Sequence, residues 1–229
     1  MSARAKRPQL RATSNSRVAE FRPSTNGFRF TNTFAADPVV TVRLPFTHWR
    51  IGQAANGLCG GMVFAARDYF EASRPVPDTA TPPAHGTPLF RYLVRRLIAA
   101  FNLPDAVLRY LYWMLLPDEA VRRRTLERQW PGVRACIDAG HPCPLGLVTI
   151  RSWHPLDLRH NHVVLAYGYR IASGVLSVDV YDPNTAQSAA EDAHLEMPLT
   201  ASPITHTIDL ANPIRGFFQL RYRRREPPY

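Results

Sequence analysis

The chain has 229 residues, of which 45% are hydrophobic, and its formal net charge is +10. This size suits one globular domain with a substantial core. The charge lies at the two ends, because residues 1–22 carry a net +5 and residues 215–229 a net +4, which leaves the middle nearly neutral. Basic ends can contact phosphate or anionic lipid, but solubilising tails are the simpler interpretation.

The composition also excludes several classes of protein. The basic N-terminus has no apolar run after it, so it is not a secretory signal. The most apolar run, residues 106–116, is too short to span a bilayer and contains Arg109. An odd number of cysteines argues against a disulfide framework and favours a reducing compartment. We therefore expect a soluble protein that is cytoplasmic, or exported by a route that does not use a Sec signal.

The first third of the chain predicts a flexible arm, two strands and a helix. Residues 1–25 are polar and basic, and are expected to be flexible. Residues 27–34 and 38–46 show the alternation and β-branched content of strands. Apolar residues then recur at helical spacing from Gly60, and this helix is predicted to end before Pro75.

The rest of the chain predicts helices first and strands afterwards. A proline-rich loop at 74–88 precedes two predicted helices, at 89–102 and 105–127, with Arg95 and Arg96 on a solvated face. The later strands are predicted at 140–150, 161–171, 174–182, 204–210 and 216–224.

Helices followed by a mostly antiparallel sheet are typical of the α+β class. We predict one such domain over residues 26–225, with a helical insertion at about 89–127 and a short tail at 226–229. No internal repeat is found.

Cys59 stands between glycines at the predicted start of the first helix. A cysteine nucleophile must be a thiolate, whereas a free thiol is mostly protonated at neutral pH. The N–H groups and partial positive charge of a helix N-terminus favour the anion. Gly57, Gly60 and Gly61 are expected to leave the thiol open to a substrate backbone. The alternative is a buried structural cysteine whose glycines serve packing.

Attack on a carbonyl also needs hydrogen-bond donors for the developing oxyanion. The backbone N–H of Cys59 can supply one donor. The side-chain amide of Gln53, six residues upstream, is the candidate for the second and would complete an oxyanion hole.

A histidine and an aspartate in the second half of the chain can complete this chemistry. His162 opens an alternating strand, and residues 172–174 suit a short hairpin turn. Pairing across that turn puts His162 opposite residues 183–184, with Asp182 in reach. A carboxylate there can fix the tautomer of the histidine, so Cys59, His162 and Asp182 form the candidate catalytic triad.

The segment "QAANGLCGGM" resembles the glutamine and cysteine block of papain-like cysteine peptidases, including the six-residue spacing. "NHVVLAYGY" followed by "VYDPN" resembles the histidine and aspartate blocks of the bacteriocin-processing branch of that superfamily. The resemblance implies a papain-like fold with Cys59 as nucleophile, His162 as general base, Asp182 as orienting group and Gln53 as oxyanion donor. It covers about a quarter of the chain and does not account for residues 89–127. The usual processing enzymes are fused to transporters, and no membrane span is predicted here.

Alternatives remain for some of these roles. Asn184 is the second candidate for the orienting residue, although a carboxylate stabilises an imidazolium better than an amide does. Trp153 can wall a substrate cleft or lie in the core. Two sets of residues resemble partial metal sites, but loop histidines and structural thiols are favoured. These sets are His154, His160 and His162 with Asp182, and Cys136, His141 and Cys143.

We therefore expect a cysteine hydrolase, acting as a peptidase, isopeptidase or amidase of bacterial type on a peptide or protein substrate, without a metal or organic cofactor. Resolution of the same intermediate by an amine would make it a transferase. The alternatives are a catalytically inactive papain-like module that binds peptides, and a binder of nucleic acid or anionic surfaces through the arginine-rich ends. The second alternative is the less favoured, and no oligomeric state is predicted.

Overall fold

The computed structural model describes residues 13–34, 40–44, 47–51, 57–102, 104–200 and 203–228. In these ranges the helices are α1 Pro23–Asn26, α2 Cys59–Glu71, α3 Pro88–Phe101, α4 Asp105–Leu115, α5 Asp118–Arg124 and α6 Trp130–Asp138. The strands are β1 Ser14–Arg17, β2 Val40–Leu44, β3 Thr47–Ile51, β4 Cys143–Val148, β5 His162–Ala172, β6 Val175–Tyr181, β7 His194–Pro198, β8 Thr205–His206 and β9 Gly216–Gln219. The expected α+β class is confirmed.

One antiparallel sheet forms the centre of the described structure. Its strand order is β8-β7-β6-β5-β4-β9, and β1 also pairs with β5. The long strand β5 pairs with β6 along one edge, while its other edge is shared between β4 and β1. Helices α2 and α6 both pack against β5, so this strand is buried over nearly its whole length. A separate hairpin is formed by β2 and β3.

The β5–β6 hairpin follows the prediction closely. Ser173 and Gly174 both have positive φ angles in its turn, as the tight turns of hairpins require. Leu165 pairs with Tyr181, and an irregularity between Ala166 and Gly168 shifts the register by one residue. Strand β6 thus ends opposite Leu165, three residues after β5 begins at His162.

Two of the glycines around Cys59 serve close packing, which is the alternative that the sequence left open. A Cβ atom on Gly61 would lie 2.2 Å from the Leu93 carbonyl oxygen of α3. A Cβ atom on Gly57 would lie 2.0 Å from the side-chain nitrogen of Asn32. These two glycines therefore allow α3 and Asn32 to approach the chain on either side of Cys59.

Residues 14–25 are ordered against the sheet, unlike the flexible arm expected over residues 1–25. Strand β1 pairs with β5, and the side chains of Val18 and Phe21 are buried. The prediction was wrong for this segment because it relied on polar composition. A short edge strand needs few apolar residues when its partner strand is already buried. Residues 1–12 lie outside the described part of the chain.

Several predicted elements are shorter than expected or differ in kind. Residues 27–34 bury three phenylalanines without forming a strand. The helix predicted at 105–127 is interrupted at Pro117, because proline cannot continue a helix and instead starts α5. A π-helical turn over Thr125–Gln129, together with α6, was not predicted. Of the predicted strand at 204–210 only β8 forms, and of that at 216–224 only β9.

The segment after β9 packs along α2 and α3. The buried carboxylate of Asp68 accepts hydrogen bonds from the hydroxyls of Tyr92 and Tyr222, each at 2.6 Å, and from the backbone N–H of Arg225 at 2.9 Å. Arg96 Nε lies 2.6 Å from the same carboxylate, and only 3% of the Arg96 surface is exposed. The expectation of a solvated Arg96 is therefore wrong, since its partner Asp68 lies on a different helix.

Residues 226–228, predicted as a tail, also contact α2. Tyr69 donates a hydrogen bond to the Pro228 carbonyl oxygen at 2.9 Å, and Arg74 donates one to that of Pro227 at 3.0 Å. In the described parts of the chain, none of the helices has the length and apolar character needed to cross a membrane.

Candidate active site

Cys59 is the first residue of α2 and is partly buried. The backbone N–H of the preceding residue, Leu58, donates a hydrogen bond of 2.7 Å to the side-chain oxygen of Asn32. The Leu58 carbonyl oxygen accepts the first helical hydrogen bond, from Met62 N–H at 2.8 Å. The chain is thus fixed on the N-terminal side of Cys59, and the thiol lies where the partial positive charge of the helix end is strongest.

His162 is the first residue of β5 and is buried beside the thiol. Its Nε2 atom lies 2.6 Å from Oδ1 of Asp182, and a further hydrogen bond joins the ring to the Cys59 side chain. Because Nε2 faces the carboxylate, Nδ1 is the ring nitrogen left for the thiol. The ring therefore bridges the sulfur and the carboxylate through its two nitrogens.

Asp182 follows β6 directly, and only 2% of its surface is exposed. Besides His162, its carboxylate accepts hydrogen bonds from Asn184 N–H at 3.1 Å and from the Thr185 hydroxyl at 2.7 Å. Burial by itself raises the pKa of Asp182, but the charge of His162 and these hydrogen bonds outweigh it, so the pKa lies below the usual value. Asp182 is consequently an ionised carboxylate at neutral pH.

Opposing effects also act on the imidazole. Burial lowers the pKa of His162, whereas the charges of Asp182 and Cys59 and the hydrogen bonds to both raise it, with a net increase to about 10. The protonated ring is thus favoured between two groups that can each carry negative charge. This arrangement allows a thiolate–imidazolium pair to exist in a site that is largely shielded from water.

The structure brings together three of the residues that the sequence singled out, Cys59, His162 and Asp182. The backbone N–H of Asn184 is bonded to Asp182 and its side chain to Asn32, so the partner of His162 is Asp182. Gln53, predicted as the oxyanion donor, lies outside the described residues.

Asn32 is the main contributor to the site that sequence reasoning missed. Its side-chain oxygen accepts from Leu58 N–H, its side-chain nitrogen donates to Asn184 Oδ1 at 3.1 Å, and its backbone N–H donates to the Pro183 carbonyl oxygen at 2.9 Å. One side chain thus ties the chain before Cys59 to the turn after Asp182. The surrounding sequence alternates like a strand and contains no signal for this role.

Tyr110 on α4 supports the histidine from the other side. Its buried hydroxyl donates a hydrogen bond to the His162 carbonyl oxygen at 3.1 Å. A Cβ atom on Gly146 of β4 would lie 2.5 Å from this hydroxyl, so the glycine makes room for it. Helix α4, for which the family resemblance gave no role, therefore helps to hold the first residue of β5.

The other candidate residues from the sequence have surroundings of their own. Trp153 is 80% exposed on the loop before His162, so it is not a core residue. Within the described ranges, no group of three or more His, Cys, Asp or Glu side chains is arranged to hold a metal ion. Cys136 and Cys143, which were predicted to be structural thiols, are free cysteines whose side chains interact.

Comparison of the chain with protein-family models, with curated proteins and with solved structures found no match. The functional interpretation therefore rests on the geometry of the site and on the motifs of the sequence.

Proposed function

We propose that the protein is a papain-like cysteine hydrolase that cleaves a peptide, isopeptide or other amide bond. The observation that carries this proposal is the contact of one buried imidazole with both the Cys59 thiol and the Asp182 carboxylate. A structural cysteine needs neither neighbour. Buried ionisable groups with displaced pKa values are characteristic of functional sites, because burying them costs stability.

The reaction has two halves. The Cys59 thiolate attacks the substrate carbonyl, and the imidazolium of His162 donates its proton to the departing amine, which leaves a thioester. His162, now neutral, then takes a proton from water as the water attacks the thioester, and returns that proton to the sulfur as the carboxylic acid leaves. Asp182 keeps the ring in one orientation and stabilises its protonated form.

The tetrahedral intermediates carry a negative oxygen that needs donors. We assign the backbone N–H of Cys59 and the side chain of Gln53 to this role, in keeping with the motif around the cysteine. Two well-placed donors typically contribute several kcal/mol to the stability of the transition state.

Alkylation kinetics test the Cys–His pair without knowledge of the substrate. Iodoacetamide reacts with thiolates, so at pH 6 we expect Cys59 to be alkylated about tenfold or more faster in the wild type than in His162→Ala. Trypsin isolates this cysteine on the peptide 51–67, which allows its rate to be measured separately by mass spectrometry. Equal alkylation rates of Cys59 in the two proteins would contradict the proposed mechanism.

Hydrolysis is then tested with a mixed peptide library, comparing the wild type with Cys59→Ser. We expect new peptide termini in the wild-type digest alone. A library left intact by a protein whose Cys59 reacts rapidly would contradict peptidase activity.

A further inference from the structure

A second thiol site lies near the opposite end of α2, away from the triad. Cys136 belongs to the last turn of α6 and Cys143 is the first residue of β4. The loop between them turns at Gly140, which has a φ of +81°. This reversal brings Cys143 near Cys136, so that each side chain acts on the pKa of the other.

The two sulfurs have different surroundings. Cys143 is fully buried, whereas Cys136 is partly exposed. Arg67 of α2 places Nη1 4.0 Å from the Cys136 sulfur. The same guanidinium is held by Glu71 at 2.8 Å and by the ring of Tyr222, whose centre lies 3.9 Å from its carbon. The cation is therefore fixed beside Cys136.

The polar groups around Cys136 are Arg67, Glu71 and His141. The Cys136 sulfur lies 3.5 Å from the His141 carbonyl oxygen, and the His141 ring lies 3.3 Å from the Glu71 carboxylate. The interaction with Cys143 and the charge of Arg67 lower the pKa of Cys136, whereas burial and the Glu71 carboxylate raise it, with a net decrease to about 7. For Cys143, the hydrogen bond to Cys136 and burial both raise the pKa.

This asymmetry matches the requirements of an attacking and a resolving thiol. The attacking sulfur must be a thiolate that solvent can reach, and the resolving sulfur must lie within contact of it. Cys136 meets the first requirement and Cys143 the second. The proposed activity at Cys59 uses neither residue.

We propose that Cys136 and Cys143 form an oxidation site for hydrogen peroxide that closes a reversible disulfide. The Cys136 thiolate attacks one peroxide oxygen; an S–O bond forms as the O–O bond breaks, and the departing hydroxide takes a proton to become water. The Cys143 sulfur then attacks the sulfenic sulfur of Cys136; an S–S bond forms as the S–O bond breaks, and the departing hydroxide leaves as water with the Cys143 proton. Two thiols lose two electrons, and one peroxide is reduced to two waters.

Disulfide formation needs only a local movement. The two cysteine side chains already interact, and the bond would close a loop of six intervening residues between the end of α6 and the start of β4. It would also end the contact between Arg67 and a thiolate, because both sulfurs become neutral.

The sequence permits a direct test on the full chain. Trypsin releases residues 135–151 as one peptide containing both cysteines, while Cys59 falls on the separate peptide 51–67. The protein is treated with hydrogen peroxide, remaining thiols are blocked with N-ethylmaleimide, and both peptides are analysed by mass spectrometry. We expect peptide 135–151 to lose two hydrogen atoms and to take up no maleimide, and dithiothreitol to restore two maleimide sites.

Two variants define the roles. In Cys143→Ser the reaction should stop at a sulfenic acid on Cys136, which dimedone traps. In Cys136→Ser, Cys143 should remain a thiol under the same treatment. A wild-type peptide that retains two free thiols, or a Cys136 that proceeds to sulfinic acid without a disulfide, would overturn the proposal.

The wild-type result needs no variant to fold. It is also independent of the proposed hydrolase, since repeating the oxidation in Cys59→Ser should give the same disulfide.

Discussion

Two thiols lie near opposite ends of helix α2. The cation beside each thiol determines which chemistry is open to its sulfur. Cys59 at the N-terminal end contacts His162, whereas Cys136 near the C-terminal end lies beside Arg67. A cation of either kind can pair with a thiolate. Imidazolium can also release its proton to a leaving group, but guanidinium remains protonated in proteins. The hydrolase that we propose at the first site uses that proton, while the proposed oxidation site needs only a nucleophilic sulfur.

The largest expected effect comes from replacing each cysteine by serine, which tests whether the two thiol sites have different roles. On any substrate found in the library, we expect Cys59→Ser to lose activity by about 10³-fold or more, because a serine hydroxyl is not ionised by this imidazole to a comparable extent. Cys136→Ser should keep nearly full activity in reducing buffer. Steady-state hydrolysis rates measure both, and a large loss in Cys136→Ser would mean that the two sites are coupled.

The next effect concerns the contacts that position Cys59. In Asn32→Ala, the buried N–H of Leu58 loses its acceptor, which should cost about 1–3 kcal/mol of unfolding free energy. We expect alkylation of Cys59 at pH 6 to slow by roughly tenfold or more, since small displacements at a reacting group have large effects on rate.

Asn26→Ala is the matched control for Asn32→Ala. The Asn26 side-chain oxygen accepts hydrogen bonds from Arg22 N–H and from the Thr25 hydroxyl, so the variant loses these two bonds without touching the triad. If both variants alkylate Cys59 equally slowly, Asn32 does not position the nucleophile. The alkylation rate of Cys136 should be unchanged in both.

A smaller effect is the pH dependence of stability. The pKa of His162 is raised to about 10 in the folded state, so its contribution is complete below pH 6.5 and is lost as the pH rises toward 10. The pKa of Asp182 is lowered, so its contribution is present above about pH 4 and is lost as the pH falls. The unfolding temperature of the wild type minus that of His162→Gln should therefore decline by several degrees or more between pH 6 and pH 10.

Scanning fluorimetry at matched ionic strength measures this difference, because titrating groups far from His162 contribute equally to both proteins. A difference that stays constant between pH 6 and pH 10 would contradict the raised pKa. The corresponding difference for Cys136→Ser should not follow the same curve.

The smallest expected effect concerns Trp153. Trp153 is 80% exposed on the loop that precedes His162, and its contact with the His154 ring leaves most of its face open. We expect Trp153→Ala to raise KM by roughly twofold to tenfold, the equivalent of one aromatic contact, with kcat unchanged. Ile98→Ala, which removes an exposed side chain from α3, should leave KM unchanged. Equal KM values for wild type and Trp153→Ala would exclude a substrate contact there.

The closeness of His162 to Asp182 could be predicted from sequence because both residues flank one short hairpin. The alternation of apolar residues defined the two strands. The predicted three-residue turn between them left little freedom in the register of their pairing. Asn32 and Tyr110 could not be predicted, since their partners lie 152 and 52 residues away in the chain. Arg96 was placed in solvent for the same reason, as helical periodicity does not reveal a carboxylate on another helix.

The same long separations have a kinetic consequence. The site unites residues near positions 32, 59, 110, 162 and 182, so it does not exist until segments 152 residues apart in the chain have met. Folds dominated by such contacts form slowly, because loop-closure entropy is lost before native contacts compensate for it. Recovery of fast Cys59 alkylation after dilution from denaturant should therefore lag behind the return of helical circular dichroism, and would report completion of the native topology.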